Sequence, residues 1–134
     1  MVAHDLIETI KQDYQNFPDN QTYSIYAENV YFKDPVNEFS GCDRYQKMIN
    51  FMATWFQDIQ LDLHDISESG DTIETQWTLS WTVSVLPWAP RLSIPGYSHL
   101  HINPEGLIDR HIDYWNCSRL AVVKQLFQQN SPKR

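Results

Sequence analysis

The stretch Tyr26-Ala-Glu-Asn-Val-Tyr-Phe-Lys-Asp-Pro-Val-Asn-Glu-Phe-Ser-Gly41 marks the point where the chain changes from helix to sheet. Its Val30 and Phe32 belong to a short run of residues that favour β structure. Proline has no N–H to donate to a sheet, and it favours extended geometry in the residue before it. We therefore expect Asp34, which precedes Pro35, to end a strand.

The carboxylate of Asp34 has two interpretations at this strand end. Aromatic and aliphatic neighbours can desolvate it, which would raise its pKa and make it a candidate general base. Alternatively, its side chain accepts hydrogen bonds from nearby backbone N–H groups in an Asx-Pro turn. Both interpretations fit the local sequence.

The length and charge of the chain exclude several classes of protein. Its 134 residues fit a single domain over residues 1–134, and a hydrophobic content of 42% is typical of a folded protein. Seventeen acidic and ten basic side chains give a net charge of −7, so nucleic acid is not an expected partner. Two cysteines, no signal peptide and no long apolar run predict a cytoplasmic protein without a membrane span.

Helical periodicity begins at the N-terminus. Apolar residues at helical spacing predict an amphipathic helix over about residues 3–15, with Tyr14 on its apolar side. Pro18-Asp19-Asn20 ends this helix and offers caps for a second, shorter helix through Tyr26.

Two more helices are predicted further along the chain. Ser40 and Asp43 resemble a capping box for a third helix, whose apolar face carries Met52 and Trp55. Ser118 can cap a short C-terminal helix, and the tail from about residue 128 should be frayed.

Alternation with a period of two predicts the strands. One strand begins at Ile59, and a longer one pairs with it and turns one apolar face inward: Ile73, Trp77, Leu79, Trp81, Val83 and Val85. Residues 97–103 and 107–115 form an antiparallel pair around the turn Pro104-Glu-Gly106.

The segment Leu86-Pro-Trp-Ala-Pro-Arg-Leu-Ser-Ile-Pro-Gly96 interrupts the sheet with three prolines. Its Trp88, Leu92 and Ile94 make it the most apolar loop that the sequence predicts. It is either a rigid hairpin tip that packs on its own domain or a second subunit, or a docking loop for a partner.

Five histidines raise the question of a metal site. His99 and His101 share one face of a strand, but Leu100 and Ile102 are its core residues, so both imidazoles should point toward solvent or a neighbouring subunit. We expect no metal site. The sequence also lacks a Gly-rich phosphate loop and a Gly-x-Ser-x-Gly nucleophile motif, and we expect no cofactor.

The last strand presents two unlike faces. Ile108, Ile112 and Tyr114 share one face. The other face carries Asp109, His111, Asp113 and Trp115. Periodicity alone predicts that the aliphatic face is inside.

Several of these segments together carry a resemblance. The run from Tyr26 to Pro35 followed by Gly41, the Gly106-Leu-Ile turn and Tyr114-Trp115 resemble the ketosteroid-isomerase-like (nuclear transport factor 2-like) superfamily. Lys33–Phe39, with Leu86-Pro-Trp and Asp113-Tyr-Trp, is similar to an uncharacterised cyanobacterial and plastid family within it. The resemblance implies an α+β fold: a cone of three N-terminal helices packed on a curved, mostly antiparallel sheet, with a short C-terminal helix.

The resemblance also implies site residues. In the isomerases, the Asp of a similar Asp-Pro abstracts a proton and a Tyr late in the first helix polarises the substrate oxygen, which implies these roles for Asp34 and Tyr14. The same pattern turns the polar face of the last strand, with His111, Asp113 and Trp115, toward the interior. Other predicted pocket residues are Phe32, Met52, Trp55, Trp77 and Ser98. Ser98 stands where the isomerases place a protonated Asp and is a weaker donor, so we do not expect steroid isomerisation.

Two classes of function remain open. As an enzyme, the protein would bind a small apolar molecule and act on it by cofactor-free acid–base chemistry of the isomerase, cyclase, dehydratase or hydrolase type, with Asp34, His111, Asp113 and Tyr14 as catalytic residues. As a non-catalytic binding or assembly module, it would use the pocket and the Leu86–Gly96 segment as contact surfaces. We expect a homodimer through the outer face of the sheet, where the aliphatic side of the last strand would lie.

Overall fold

The computed structural model describes residues 4–128, which form an α+β fold with three α-helices and a curved six-stranded sheet. The helices are α1 (His4–Asn16), α2 (Cys42–Trp55) and α3 (Arg119–Gln125). The strands are β1 (Tyr26–Lys33), β2 (Glu38–Ser40), β3 (Gln57–Ser69), β4 (Thr72–Thr82), β5 (Arg91–Ile102) and β6 (Ile108–Trp115). The predicted frayed tail lies, from residue 129 onward, outside the described residues.

The strands lie in the order β2-β1-β6-β5-β4-β3. Neighbouring strands are antiparallel except β1 and β6, which are parallel. The chain passes through α2 and four strands, β2 to β5, between β1 and β6, and this long connection allows the two strands to pair in parallel. Side chains from β1, β5 and β6 can therefore meet on one face of the sheet.

The predicted second helix is wrong. Residues 17–25 contain only a single 3-10 turn, Tyr23–Ile25, and Tyr26 already begins β1. Thr22 makes no capping hydrogen bond to that turn, because its N–H and its hydroxyl both donate to Asp13. Asp13 of α1 is buried, because the segment of residues 17–22 folds over it.

The start of α2 also differs from the prediction. Gly41 is the N-cap, with a φ of 117° and no side-chain capping bond, so the expected capping box of Ser40 and Asp43 does not form. Gly41 N instead donates to Val30 O, which ties the start of α2 to β1. A positive φ is readily adopted only by glycine, which explains the residue at this position.

The apolar segment at 86–96 is not a loop throughout. Strand β5 begins at Arg91, and Leu92 and Ile94 are buried at 3% and 2% exposure beside Trp77 and Trp81. Strand β5 continues through Pro95, which pairs with Thr78 of β4. The interpretation as a hairpin packed on its own domain is therefore confirmed for these two residues, and they are not available as a docking surface.

The faces of β6 follow the superfamily pattern, with one change. The register between β5 and β6 shifts between His101 and Ile102, which places Ile108 in the core at 0% exposure. Asp109 lies outside and its carboxylate contacts His101. The predictions that Ile108 faces outward and Asp109 inward are wrong, because a β-bulge changes the side on which successive residues project.

The predicted cap of α3 and the predicted outward direction of His99 and His101 are confirmed. Ser118 caps α3 as expected, since its Oγ accepts a hydrogen bond from Ala121 N at 3.0 Å. His99 and His101 lie on the outer face, where they contact Glu74 and Asp109. Within residues 4–128, no helix is long and apolar enough to cross a membrane.

Candidate functional site

A cavity of about 380 Å³ lies where three apolar clusters of the fold meet. The first cluster joins α1 to the middle strands, the second joins β4 and β5 to α3, and the third joins β1 to α2. Each cluster contributes to the wall, through Ile10 and Leu100, Trp81 and Ile94, and Ile49 respectively. The volume is in the range of pockets that bind small molecules.

Nine of the ten predicted site residues line this cavity: Tyr14, Phe32, Asp34, Met52, Trp77, Ser98, His111, Asp113 and Trp115. The exception is Trp55, the last residue of α2, which is 56% exposed and packs against Phe51. On the helix, Trp55 lies at the edge of the apolar face that Ile49 and Met52 turn inward, so it does not reach the wall. The roles of the nine in binding or catalysis stay predictions.

Asp34 combines the two interpretations of its local sequence. Its Oδ1 accepts hydrogen bonds from Val36 N at 2.8 Å and Asn37 N at 2.6 Å, as in an Asx turn. Its Oδ2 accepts from Asn37 Nδ2 at 3.1 Å. The residue also lines the cavity, so the turn holds the carboxylate at the wall.

The environment raises the pKa of Asp34 above its usual value. Burial is the main cause, and the negative charge of Asp113 adds to it. The hydrogen bonds from Asn37 and Val36 act in the opposite direction, because they stabilise the ionised form. A carboxylate with a raised pKa is a stronger base once it is ionised.

The polar end of the cavity is organised around Asp113. Its Oδ1 lies 2.7 Å from His111 Nε2 and accepts a hydrogen bond from Ser98 Oγ. Ser98 in turn accepts a hydrogen bond from Trp77 Nε1 at 2.8 Å. Within residues 4–128, no hydrogen bond reaches Asp113 Oδ2, which leaves one oxygen of a positioned carboxylate for a ligand.

Tyr26 and Tyr45, which were not among the predicted site residues, also lie at the polar end of the cavity. Tyr26 OH lies 3.4 Å from His111 Nδ1 and 3.2 Å from Tyr45 OH. When Asp113 is ionised it can only accept, so Nε2 of a neutral His111 carries the proton and Nδ1 accepts from Tyr26. Both tyrosine rings contact the His111 ring, and no pattern in the sequence indicates that they meet there.

Tyr14 lines the cavity from α1, as the resemblance implied. Its hydroxyl lies 2.7 Å from Thr75 Oγ1 of β4, a fully buried residue. Burial, followed by the charge of Asp113, raises the pKa of Tyr14 above its usual value, so the hydroxyl stays protonated. Hydrogen bonding with Thr75 and Ser98 acts in the opposite direction on this pKa. If Thr75 donates to Tyr14, the tyrosine proton can be donated to a ligand oxygen in place of Ser98.

The arrangement can carry out proton transfer. It places the carboxylates of Asp34 and Asp113 on the wall of one largely apolar space, together with the His111 imidazole and the protonated Tyr14 phenol. Partial desolvation strengthens the interactions of these groups. Among residues 4–128, no three His, Cys, Asp or Glu side chains are grouped in a way that could hold a metal ion.

Comparison with known proteins gives one family. The model of a family described as an uncharacterized conserved protein (DUF2358) matches residues 4–111. This range contains α1, α2, the first five strands and the beginning of β6, up to His111. No curated protein matches the sequence.

Solved structures share the fold. A nuclear transport factor 2-like protein of unknown function from Burkholderia pseudomallei K96243 has a TM-score of 0.75 at 14% identity, over 94% of this chain and 100% of that chain. A protein with a ketosteroid isomerase-like fold from Catenulispora acidiphila DSM 44928, in complex with trimethylamine, has a TM-score of 0.73 at 13% identity, over 92% and 93%. An epoxide hydrolase from M. tuberculosis has a TM-score of 0.69 at 15% identity, over 91% and 86%. The predicted superfamily fold is confirmed.

Proposed function

The chain belongs to the family of uncharacterized conserved proteins DUF2358, and we propose that its cavity binds a small, mostly apolar molecule and catalyses proton transfer on it without a cofactor. The observation that carries the proposal is the cavity of about 380 Å³ with the Asp113 carboxylate held at its polar end. The reaction would be of the isomerase, cyclase, dehydratase or hydrolase type.

The residues have distinct roles in this proposal. Asp34 removes a proton from the ligand, or His111 does so through Nδ1 when the ligand displaces its 3.4 Å contact with Tyr26 OH. The same group returns the proton at another atom. Tyr14 donates a hydrogen bond to the ligand oxygen on which negative charge develops. Ser98 orients Asp113 rather than acting as half of an oxyanion hole, since its hydroxyl is engaged between Trp77 and Asp113.

Structures with the same fold support a small-molecule pocket. The Catenulispora protein is in complex with trimethylamine, and the M. tuberculosis protein is an epoxide hydrolase. Because this fold hosts many unrelated functions, the proposal for this chain depends on its own cavity.

We also propose that the protein forms a homodimer through the outer face of the sheet. Tyr97 and Tyr114 stack there with a centroid distance of 4.8 Å, and His99 contacts both rings. Tyr114 is 37% exposed, so this aromatic surface is open to a second copy. The cytoplasmic location and the absence of a nucleic-acid partner remain predictions.

Ligand binding can be tested with 2-naphthol, a neutral aromatic alcohol that fits the cavity by size and can donate to Asp113. We expect binding to quench tryptophan fluorescence, since Trp77, Trp81 and Trp115 line the wall. Met52→Trp should fill part of the cavity and abolish the quenching. Lys47→Trp adds the same side chain at an exposed position of the same helix and should leave binding unchanged. Equal binding by both variants would contradict the proposal.

Catalysis is tested separately from binding. A ketone such as 2-tetralone, incubated with the protein in D2O, should exchange its α-protons faster than in buffer, as followed by NMR. Asp34→Asn and His111→Phe should each slow this exchange, by about 10²–10⁴-fold for the residue that is the general base. Binding of naphthol without any exchange would leave the non-catalytic binding module as the function.

A further inference from the structure

The charged groups around the cavity are nearly all of one sign. Its wall carries three carboxylates, Asp13, Asp34 and Asp113, and, within residues 4–128, no lysine or arginine. His111 is the one residue of this wall whose side chain can carry a positive charge. With the carboxylates ionised, the cavity is negative whether or not that imidazole is protonated.

The polar end is also surrounded by aromatic rings. Tyr45 contacts Tyr26 at a centroid distance of 4.8 Å and Phe32 at 5.5 Å, and all three line the cavity. Tyr14 and Trp115 add two more rings to the wall. The face of an aromatic ring carries partial negative charge and attracts cations, most strongly where water is excluded.

The titratable groups respond to this negative potential. The charge of Asp113 contributes to raising the pKa of Asp34, Tyr14, Tyr26 and Tyr45, after the larger effect of burial. Each of these acids is harder to ionise because a further negative charge would be added to the same space. A positive charge placed there would relieve the repulsion.

We propose that the ligand of this cavity is a small organic cation, an ammonium or substituted amine with an apolar body, whose charged group lies beside Asp113 among the aromatic rings. This inference depends on the small-molecule binding proposed above and names the chemical class of the ligand. Asp113 suits the role because Oδ1 is fixed by His111 and Ser98 while Oδ2 accepts no hydrogen bond within residues 4–128.

Ligands of other charge fit less well. A carboxylate or phosphate would be desolvated against two or three negative charges without a basic partner, which is strongly unfavourable. A neutral molecule would make the same apolar contacts, but it lacks the positive charge that Asp113 and the aromatic rings attract. Charge is therefore the property that should separate ligands of equal shape.

The test uses three probes of nearly the same shape: choline, its neutral carbon isostere 3,3-dimethylbutan-1-ol, and the anion 3,3-dimethylbutanoate. Binding to the full chain is measured at pH 7.5 by ligand-observed NMR, with displacement of 2-naphthol as a second readout. We expect choline to bind about tenfold more tightly than the alcohol, and the anion to bind most weakly.

Two variants locate the effect. Asp113→Asn should reduce the affinity for choline about tenfold and the affinity for the alcohol much less, because the asparagine oxygen still accepts a hydrogen bond but carries no charge. Asp34→Asn should act in the same direction. Asp109→Asn removes a carboxylate on the outer face of the same strand and should change neither affinity. Circular dichroism of each variant shows that it is folded, and Asp34→Asn keeps the test available should Asp113→Asn not fold.

The outcomes separate this inference from the proposed function. If the alcohol or the anion binds as tightly as choline, the ligand is not a cation, whereas binding of 2-naphthol that Met52→Trp abolishes would still support the pocket. An unchanged choline affinity in both Asp113→Asn and Asp34→Asn would also overturn the inference. If none of the three probes nor 2-naphthol binds, both proposals are wrong.

Discussion

The Asp34 carboxylate is held by its own turn while its charge interacts with a residue at the other end of the chain. Its oxygens accept from Val36 and Asn37, so the group has a defined position without help from distant elements. Asp113, on β6, contributes to raising its pKa.

Replacing Asp113 with asparagine should lower the pKa of Asp34 toward its usual value. The substitution removes a negative charge that disfavours ionisation of Asp34, although the larger effect of burial remains. The measurement is an NMR titration of the Asp34 carboxyl carbon in both proteins. Asp109→Asn, on the outer face, should not move the Asp34 titration, and an unchanged titration in Asp113→Asn would contradict the shared cavity.

Asp34 should make the stability of the protein depend on pH. Because its folded-state pKa is raised, the group is protonated in both states at low pH, and stability falls as the pH rises through the folded-state pKa. Asp34→Asn keeps an oxygen acceptor for the turn but cannot ionise. We therefore expect the free energy of unfolding of Asp34→Asn to increase, relative to that of the wild-type protein, between about pH 4 and pH 7.

Urea denaturation at several pH values measures this difference. Asp65→Asn, at an exposed carboxylate of β3, is the matched control and should show a smaller pH dependence relative to the original protein. If the free energy of unfolding of Asp34→Asn instead decreases relative to the wild-type protein as the pH rises, the ionised carboxylate is favoured in the folded state and the prediction is wrong.

The β4–β5 hairpin is the element that carries the core of the site. Trp77 of β4 is buried at 5% exposure, and its ring lies directly over Gly96 of β5. A Cβ at Gly96 would lie 2.6 Å from that ring and 2.5 Å from Tyr114 O, so only glycine leaves room for the indole. The indole can then donate to Ser98, which connects this hairpin to the Asp113 network on β6.

Trp77→Ala should destabilise the protein far more than Trp88→Ala. The first removes a buried ring and the donor to Ser98, at a cost of roughly 3–5 kcal/mol. Trp88 is 37% exposed and donates to Leu126 O at 2.6 Å, so its loss should cost roughly 1 kcal/mol. Chemical denaturation of both variants measures the difference, and equal losses would show that the assigned faces are wrong.

The sheet has one face toward the cavity and one face toward solvent. The outer face carries Tyr97, His99 and Tyr114, which contact one another across β5 and β6. Ile112 pairs with His99 in the same strands. Ile108, which the sequence pattern added to this surface, is in the core, so the expected interface is more aromatic than the sequence predicted.

We expect a dimer at micromolar concentration and a monomer after Tyr114→Arg. The substitution places a charge in the centre of the aromatic surface, where two copies related by a two-fold axis would bring like charges together. Light scattering coupled to size exclusion measures the mass. Gln46→Arg adds the same charge at an exposed position of α2 and should leave a dimer; a monomeric original protein would contradict the prediction.

The sequence by itself determined the features that depend on local periodicity and capping. Alternation along β4 predicted that Trp77 and Trp81 are buried, Asp34-Pro35 ended β1, and Ser118 capped α3. These features could be predicted because their cause lies within a few residues of the position concerned.

The tertiary structure alone decided the polar end of the cavity. Periodicity along β6 predicted that the aliphatic face is inside, and the resemblance to a known superfamily was needed to predict that His111 and Asp113 face inward. The resemblance placed Ser98 in the pocket, but nothing in the sequence indicated that it donates to Asp113. Nor did the sequence indicate that Tyr26 contacts both His111 and Tyr45. The physical reason is that these contacts form between strands and helices far apart in the chain, through a parallel β1–β6 pair and a β-bulge that no local pattern encodes.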